Sequence, residues 1–203
     1  MPPIPNNPPV QPGHEPTAAV HVGCSVNGEY QSSSPSSATQ FPDGNWDASL
    51  FFEELVGKNR LARQEHFTFH RVSGLDGFEE ALHSLQTTTA LVAVSDISQG
   101  YTQLNNTPHT RRVKTVFMAM RHAMDDMRAR QECMDIMREL FRQFMSVLIQ
   151  ERTRIEKYHI CLDPRISFQE IDTYFFSGCA CAYFQIAVDI YTDLRYNKDE
   201  WQD

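Results

Sequence analysis

The stretch DDMRARQECMDIMRELFRQFMSVLIQERTRIEK, Asp125 to Lys157, is the longest uninterrupted amphipathic run in the chain and holds neither Gly nor Pro. Met134, Met137, Phe141, Phe144, Leu148 and Ile155 recur at spacings of three and four, while Arg128, Arg130, Arg138, Arg142, Arg152 and Arg154 fill much of the remainder. The spacing predicts one helix. Asp125 or Asp126 suits the positive end of its dipole, and Arg152, Arg154 and Lys157 suit the negative end. At 1.5 Å per residue it runs to roughly 45 Å, more than a domain of this size needs to cover its own core. Part of it is therefore expected beyond the sheet it covers, in solvent or against a neighbouring subunit.

The flanking segments supply that sheet. Upstream, Arg112 to Arg121 places Val113, Thr115, Phe117 and Ala119 on one side and Val116, Met118 and Met120 on the other, a central strand. Asn105-Asn106-Thr107-Pro108 is a turn signal, so this strand is expected to form a hairpin with one beginning near Gly100-Tyr101. Downstream, His159 to Leu162 reads as a short strand stopped by Asp163-Pro164, and residues 166–174 read as strand or irregular. From Cys179 to Thr192 the alternation is clean. Ala182, Phe184, Ile186, Val188 and Ile190 face inward, against Tyr183, Gln185, Ala187, Asp189 and Tyr191.

Further out, Asp47 can cap a helix with Leu50, Phe51 and Leu55 on its face, running past Gly57 to about Ala62. His66 to Val72 alternates as a strand, Gly74 and Gly77 bracket a turn, and Phe78 to Leu85 carries a small helical stripe. Thr87 to Val94 reads as a buried strand. The order predicts an α+β domain over 47–196: an antiparallel or mixed sheet covered on one face by the long central helix and a shorter N-terminal helix. The other face is left to solvent or a partner. Residues 197–203 form a polar tail.

Residues 1–46 differ in kind, with nine of the eleven prolines and no Lys or Arg. This composition predicts an extended or disordered Pro/Ser-rich arm, either passive or ordered by lying across a neighbouring subunit. Pro2, Pro3, Pro5, Pro8 and Pro9 would then make the contact. At the hairpin, Arg111, Arg112 and Lys114 form a basic knot that, with Asn105 and Asn106, could meet an acidic patch on a neighbour.

Lys and Arg total 18 against 26 Asp and Glu, a formal net charge of −8, so general affinity for nucleic-acid phosphates or anionic lipid has no electrostatic basis. No apolar run approaches the roughly 20 residues of a membrane span, and Met1-Pro2-Pro3-Ile4-Pro5 lacks the basic start and apolar core of a signal peptide. Residence in a cytoplasm is expected. Five cysteines, an odd number in a chain of this size, fit reduced thiols.

Chemistry-bearing patterns are sparse. His159-x-Cys161 and Cys179-x-Cys181 each place two metal-ligating types on one face of a strand, and two neighbouring strands could join them into a zinc site. Neither pair sits on the Gly-rich knuckle that zinc sites favour, so small buried cysteines are the competing reading. Ser177-Gly178-Cys179 lacks a nucleophile-elbow pattern. There is no P-loop or dinucleotide fingerprint, and the eight histidines show no HExxH-like pair. No cofactor and no enzymatic activity are expected. The alternatives are a metal- or thiol-dependent enzyme at His159, Cys161, Cys179 and Cys181, and an adaptor docking partners through the Pro-rich arm.

From about Leu50 to Tyr196 the element order resembles the tail terminator or tail completion proteins of tailed bacteriophages: an initial helix, strands joined at Asn105-Asn106, the strand Arg112–Arg121, one long helix, and closing strands ending Phe184-Gln185-Ile186-Ala187-Val188-Asp189-Ile190. The arm, the small helix at Phe78–Leu85 and the length of the central helix depart from that pattern. The resemblance implies a ring of six subunits in the virion, assembled in the host bacterial cytoplasm, contacting tail tube and neck or connector proteins. DNA would pass through it only as cargo. It also implies that sheet edges and hairpin loops form the contacts between subunits.

Overall fold

The computed structural model describes residues 46–84, 90–124, 126–171 and 178–202, the side chains of 83 and 84 excepted. The arm prolines lie outside the described residues. Asp47 opens the first helix, α1 (Ala48–Lys58), its carboxylate accepting from the N–H of Ser49 at 2.7 Å and Leu50 at 3.4 Å. The helix does not run on to residue 62. Asn59 takes an extended conformation, and its side chain caps a separate α2 (Arg60–Gln64) by accepting from Ala62 N–H at 2.8 Å. The fully buried face is Ala48, Phe52 and Val56; of the expected residues, Phe51 and Leu55 are half-buried and pack against the same core, and Leu50 lies outside it. Leu50 is 58% exposed and Phe52 is 0% exposed.

β1 (Phe67–Val72) follows, then α3 (Gly74–Ser84). The two glycines expected to bracket a turn both fall within α3; Gly74, at φ +78, turns the chain out of β1. Next come β2 (Ala90–Ser95), β3 (Gln99–Gln103) and β4 (His109–Arg121). Leu85 and Thr87 to Thr89 of the expected small helix and buried strand lie outside the described residues. α4 (Met127–Glu156) is the predicted long helix, and Asp126 is its cap, accepting from Arg128 and Ala129 N–H at 2.9 and 3.0 Å. β5 (Ile160–Leu162), β6 (Ser167–Ile171) and β7 (Cys179–Tyr191) complete the sheet, and a single 3-10 turn, Lys198–Glu200, lies in the tail.

The sheet has seven strands on the path β1-β2-β4-β7-β5, with β3 on β4 and β6 on β7. Only β1 and β2 run parallel among these pairs. β4 and β7 pair along their whole length, Arg121 opposite Cys179 and His109 opposite Tyr191. β2 and β3 share one flank of β4; β6 and β5 share the far flank of β7.

α1 and α4 cover the inner face. Met134, Met137, Leu140, Phe144, Leu148 and Ile155 of α4 are buried against Val116, Met118, Ala182, Phe184 and Ile186. Phe52 lies edge-on to Phe144 and Phe184, ring centroids 5.7 and 5.6 Å apart. Each fully buried side chain of this kind contributes about 1.5–3 kcal/mol of transfer free energy. Burial along α4 reaches Ile155 in its last turn, so the overhang is at the N-terminal end, where Met127 is exposed. Several of its arginines pair with acids of the same chain: Arg128 with Glu132, Arg142 with Glu139, Arg154 with Glu151, and Arg138 with Glu170 of β6.

The outer face is not left wholly to solvent. Phe78 and Leu82 of α3 join Leu91, Ala93, Phe117, Ala119, Cys179 and Cys181 in a second apolar cluster, with Phe78 stacked on Phe117 at 4.5 Å and 16°. Trp46, assigned by composition to the arm, belongs to the inner core: it is 7% exposed and its indole N–H donates to Glu151 at 2.8 Å. An indole at that boundary is apolar enough to bury once Glu151 takes its N–H. The domain is α+β, with a mixed sheet and a long helix packed on it. No helix among the described residues is long and apolar enough to cross a membrane.

Candidate functional site

The sheet is thinly packed at the 109–115 end of β4, where the strand residues are exposed or half-exposed. β2 leaves β4 at Val94 opposite Val116, and β3 rejoins it at Gln99 opposite Val113, so residues 96–98 jog outward. Gly100 makes the return possible. A Cβ there would lie 1.8 Å from the carbonyl oxygen of Arg111, a separation only a glycine backbone allows. All five residues of β3 are exposed, and QGYTQ contains no charge and no proline. Edge strands are ordinarily guarded by Lys, Pro or bulges, since their free N–H and C=O groups template pairing. Around this edge stand Ile97 (57% exposed), Tyr101 (56%) and Leu104 (83%). Asn105 and Asn106 form the exposed hairpin tip, where the Asn105 side chain accepts from Thr107 N–H at 3.1 Å.

The basic knot behind this tip is divided. Arg111 points between two acids of its own chain, donating to Asp189 at 3.0 Å and to Asp163. Its side chain is 24% exposed, and those of Asp163 and Asp189 are 23% and 27% exposed. The hydrogen bond to Asp163 raises the Arg111 pKa against the effect of burial. Burial pushes the Asp163 carboxyl up, but the Arg165 backbone N–H and the Arg111 guanidinium together hold it below its ordinary value. Lys114 donates to the Asp96 carbonyl, and burial lowers its pKa. The expected contact of Arg111 with an acidic neighbour is thus made within the chain, because strand register sets Arg111 opposite Asp189. Arg112 is exposed on the opposite side of β4.

The suggested zinc ligands are not brought together. Cys161 pairs opposite Asp189, whereas Cys179 and Cys181 pair opposite Arg121 and Ala119 at the other end of β7. At ~3.3 Å per residue, that is ~25 Å or more along the strand. His159 sits before β5 with φ +59, so it is not a strand partner of Cys161. Cys179 and Cys181 are buried, and burial raises both thiols. No group of three or more His, Cys, Asp or Glu residues that could hold a metal occurs among the described residues.

Two surface features had no counterpart in the sequence reading. A cleft of ≈ 270 Å³ opens on the outer face, lined by Leu75, Ile97, Gln99, Val113, Phe117 and Gln185 among others. In the tail, Tyr196 and Trp201 stack at 6.2 Å and 23° while remaining 75% and 67% exposed. The signal was present as two aromatics flanking four polar residues, Asn197 to Glu200. No protein-family model and no curated protein matches this chain. The site is therefore read from its own geometry: an unguarded strand edge, a shallow cleft and an exposed aromatic stack, which suit macromolecular contact.

Proposed function

We propose that this protein is a self-assembling structural subunit of a tailed-bacteriophage virion, forming a ring that closes the tail tube or joins it to the neck. The observation that carries the reading is β3, a five-residue edge without charge or proline, rimmed by exposed Ile97, Tyr101 and Leu104. Such an edge supports subunit contact by strand addition, main-chain hydrogen bonds supplying affinity and flanking side chains supplying specificity. The net charge of −8 suits a conduit that must not retain passing phosphates. The resemblance in element order is the ground for the phage setting, for the hexameric ring, and for tail tube and neck proteins as partners.

The test is sedimentation of the purified full chain together with capping of isolated tail tubes. The wild type is expected to form a closed oligomer and block tube ends, and Tyr101→Lys with Leu104→Lys is expected to do neither while melting like wild type. A chain that stays monomeric at high concentration and leaves tube ends free overturns the reading.

A further inference from the structure

β3 is held firmly on one side and unpaired on the other. It pairs with β4 from Gln99 opposite Val113 to Gln103 opposite His109, and among the described strands β4 is its one partner. A chain of hydroxyls reinforces that side: Thr102 meets Thr110 at 3.0 Å, and Thr110 meets Thr192, just beyond β7, at 2.8 Å. The other edges of the sheet are each blunted. β1 carries Arg71, paired with Glu53; β6 carries Glu170, paired with Arg138; β5 is three residues long, with Pro164 shortly after it. β3 alone offers an uncharged edge of five residues without such a guard.

We infer that the partner of this edge is the β3 edge of a second copy, laid antiparallel about a two-fold axis through Tyr101. The sequence QGYTQ reads nearly alike in both directions from Tyr101. Two copies of one edge related by a two-fold axis through the sheet run antiparallel, and side chains opposite one another share a face. The axis therefore passes through a residue rather than between two, and only Tyr101 leaves all five residues paired. Gln99 then meets Gln103 of the second copy, Gly100 meets Thr102, and Tyr101 meets Tyr101. On the outer face, amide stands against amide, each able to donate and accept, on both sides of a ring pair. On the inner face, Gly100 leaves room for Thr102. No charge faces a like charge: the β4 strands that bear Arg111, Arg112 and Lys114 lie three strand spacings apart, ~14 Å, beyond the ~8 Å screening length of physiological salt. A contact between like surfaces closes at two copies, so a ring of six would be three such pairs joined through a further surface. The inference deepens the strand-addition reading of β3 and rests on it.

The test uses the full chain. Tyr101 is more than half exposed and β3 buries no residue, so Tyr101→Lys and Tyr101→Glu are expected to melt like wild type. Each alone sets like charges opposite one another on the axis and should weaken self-association by about tenfold or more in dissociation constant. Mixed in equal amounts they should associate one to one, because opposite charges then meet on the axis. A contact of β3 with any other surface gives no such rescue. Cross-linking reads the register and keeps the test decisive if either charged variant fails to fold. Oxidised by added copper phenanthroline, Gln99→Cys mixed with Gln103→Cys should form a disulfide between the two variants, whose Cα atoms lie ~4.5–5.5 Å apart. Gln99→Cys alone holds its two new thiols ~13 Å apart and should stay at the background set by the wild type with its five cysteines. Two charged variants that fold but do not associate when mixed, or a disulfide as strong in Gln99→Cys alone as in the mixture, overturn this inference and leave the ring reading standing. A wild type that stays monomeric at high concentration overturns both.

Discussion

Gly100→Ala is expected to separate β3 from β4. The added Cβ meets the Arg111 carbonyl oxygen at 1.8 Å and the Arg111 carbonyl carbon at 2.8 Å, both backbone atoms held by the pairing of β4 with β7. To clear even 3.0 Å, β3 must retreat by about 1.2 Å. A hydrogen bond of ~2.9 Å stretched by that amount is no longer one. Two such bonds at ~0.5–1.5 kcal/mol each give a local cost of about 1–3 kcal/mol. β3 buries no residue, so the loss falls on the edge and not on the core. The expected outcome, read by hydrogen exchange, is loss of protection across residues 99–113 with unchanged protection in β2 and in the β4–β7 pairs near Met118. Self-association should weaken in parallel. Unchanged protection at Gln99 to Gln103, or collapse of the whole exchange pattern, refutes the reasoning about where Gly100 acts.

Phe144→Asp places an unpaired carboxylate against Phe52, at a site 1% exposed, and should abolish the cooperative melt, since its cost of several kcal/mol is a large share of a ~5–15 kcal/mol stability; a wild-type near-UV circular dichroism spectrum would contradict the placement of that face. Asp126→Ala removes the α4 cap and should cost about 1 kcal/mol, a drop of ~2–4 °C in Tm by calorimetry. Arg111→Ala should cost about 1–2 kcal/mol at neutral pH. Because Asp163 has a depressed pKa when folded, its contribution is complete above the ordinary value of ~3.9 and is lost as pH falls through the folded value. The Tm gap between wild type and Arg111→Ala should therefore narrow below about pH 4, and a gap of constant size would show that the ion pairs do not carry it. Cys181, 1% exposed with its thiol pushed up by burial, should resist alkylation at pH 8 until urea unfolds the chain, as read by peptide mass spectrometry.

The long helix was legible because burial at spacings of three and four over 30 residues leaves no competing period, and because an acid at its start, Asp125 or Asp126, marks the cap that Asp126 fills. β4 and β7 were legible because each carries a long β-branched and apolar run without Pro, though β4 begins at His109, three residues before the expected Arg112. What failed did so either through a local side-chain bond or through contacts distant in sequence. Asn59 interrupts α1 with a side-chain hydrogen bond that no periodicity reports, and Phe52 rather than Leu50 is buried because Phe144 and Phe184, distant in sequence, pack on it. Phe78 and Leu82 read as a helical stripe without the sheet face they cover, and of the two readings of Cys179 and Cys181 the small buried residue is the one realised, packed beneath α3. The Arg111 clasp needs the register of β4 with β7 and the position of Asp163, both long-range, so a local reading looked for the acid on a neighbour instead of within the chain.

The clasp and the bare edge belong to one physical solution. Around β2 and the 116–121 end of β4, the sheet is held by apolar cover from α1, α4 and α3. At the 109–115 end the strand residues are exposed or half-exposed, so burial supplies less. Arg111 stands there, joining β4 to Asp189 of β7 and to Asp163 just after β5. Charge-assisted hydrogen bonds to a guanidinium are directional, so they fix three segments relative to one another where packing alone would let them slide. A hairpin fixed in this way can present β3 to a partner strand with little further ordering, and low ordering cost is what lets a short edge bind. The same acids neutralise Arg111 from within, and β3 itself carries no charge, so the strand addition proposed above would rest on backbone and apolar contact rather than on charge pairing.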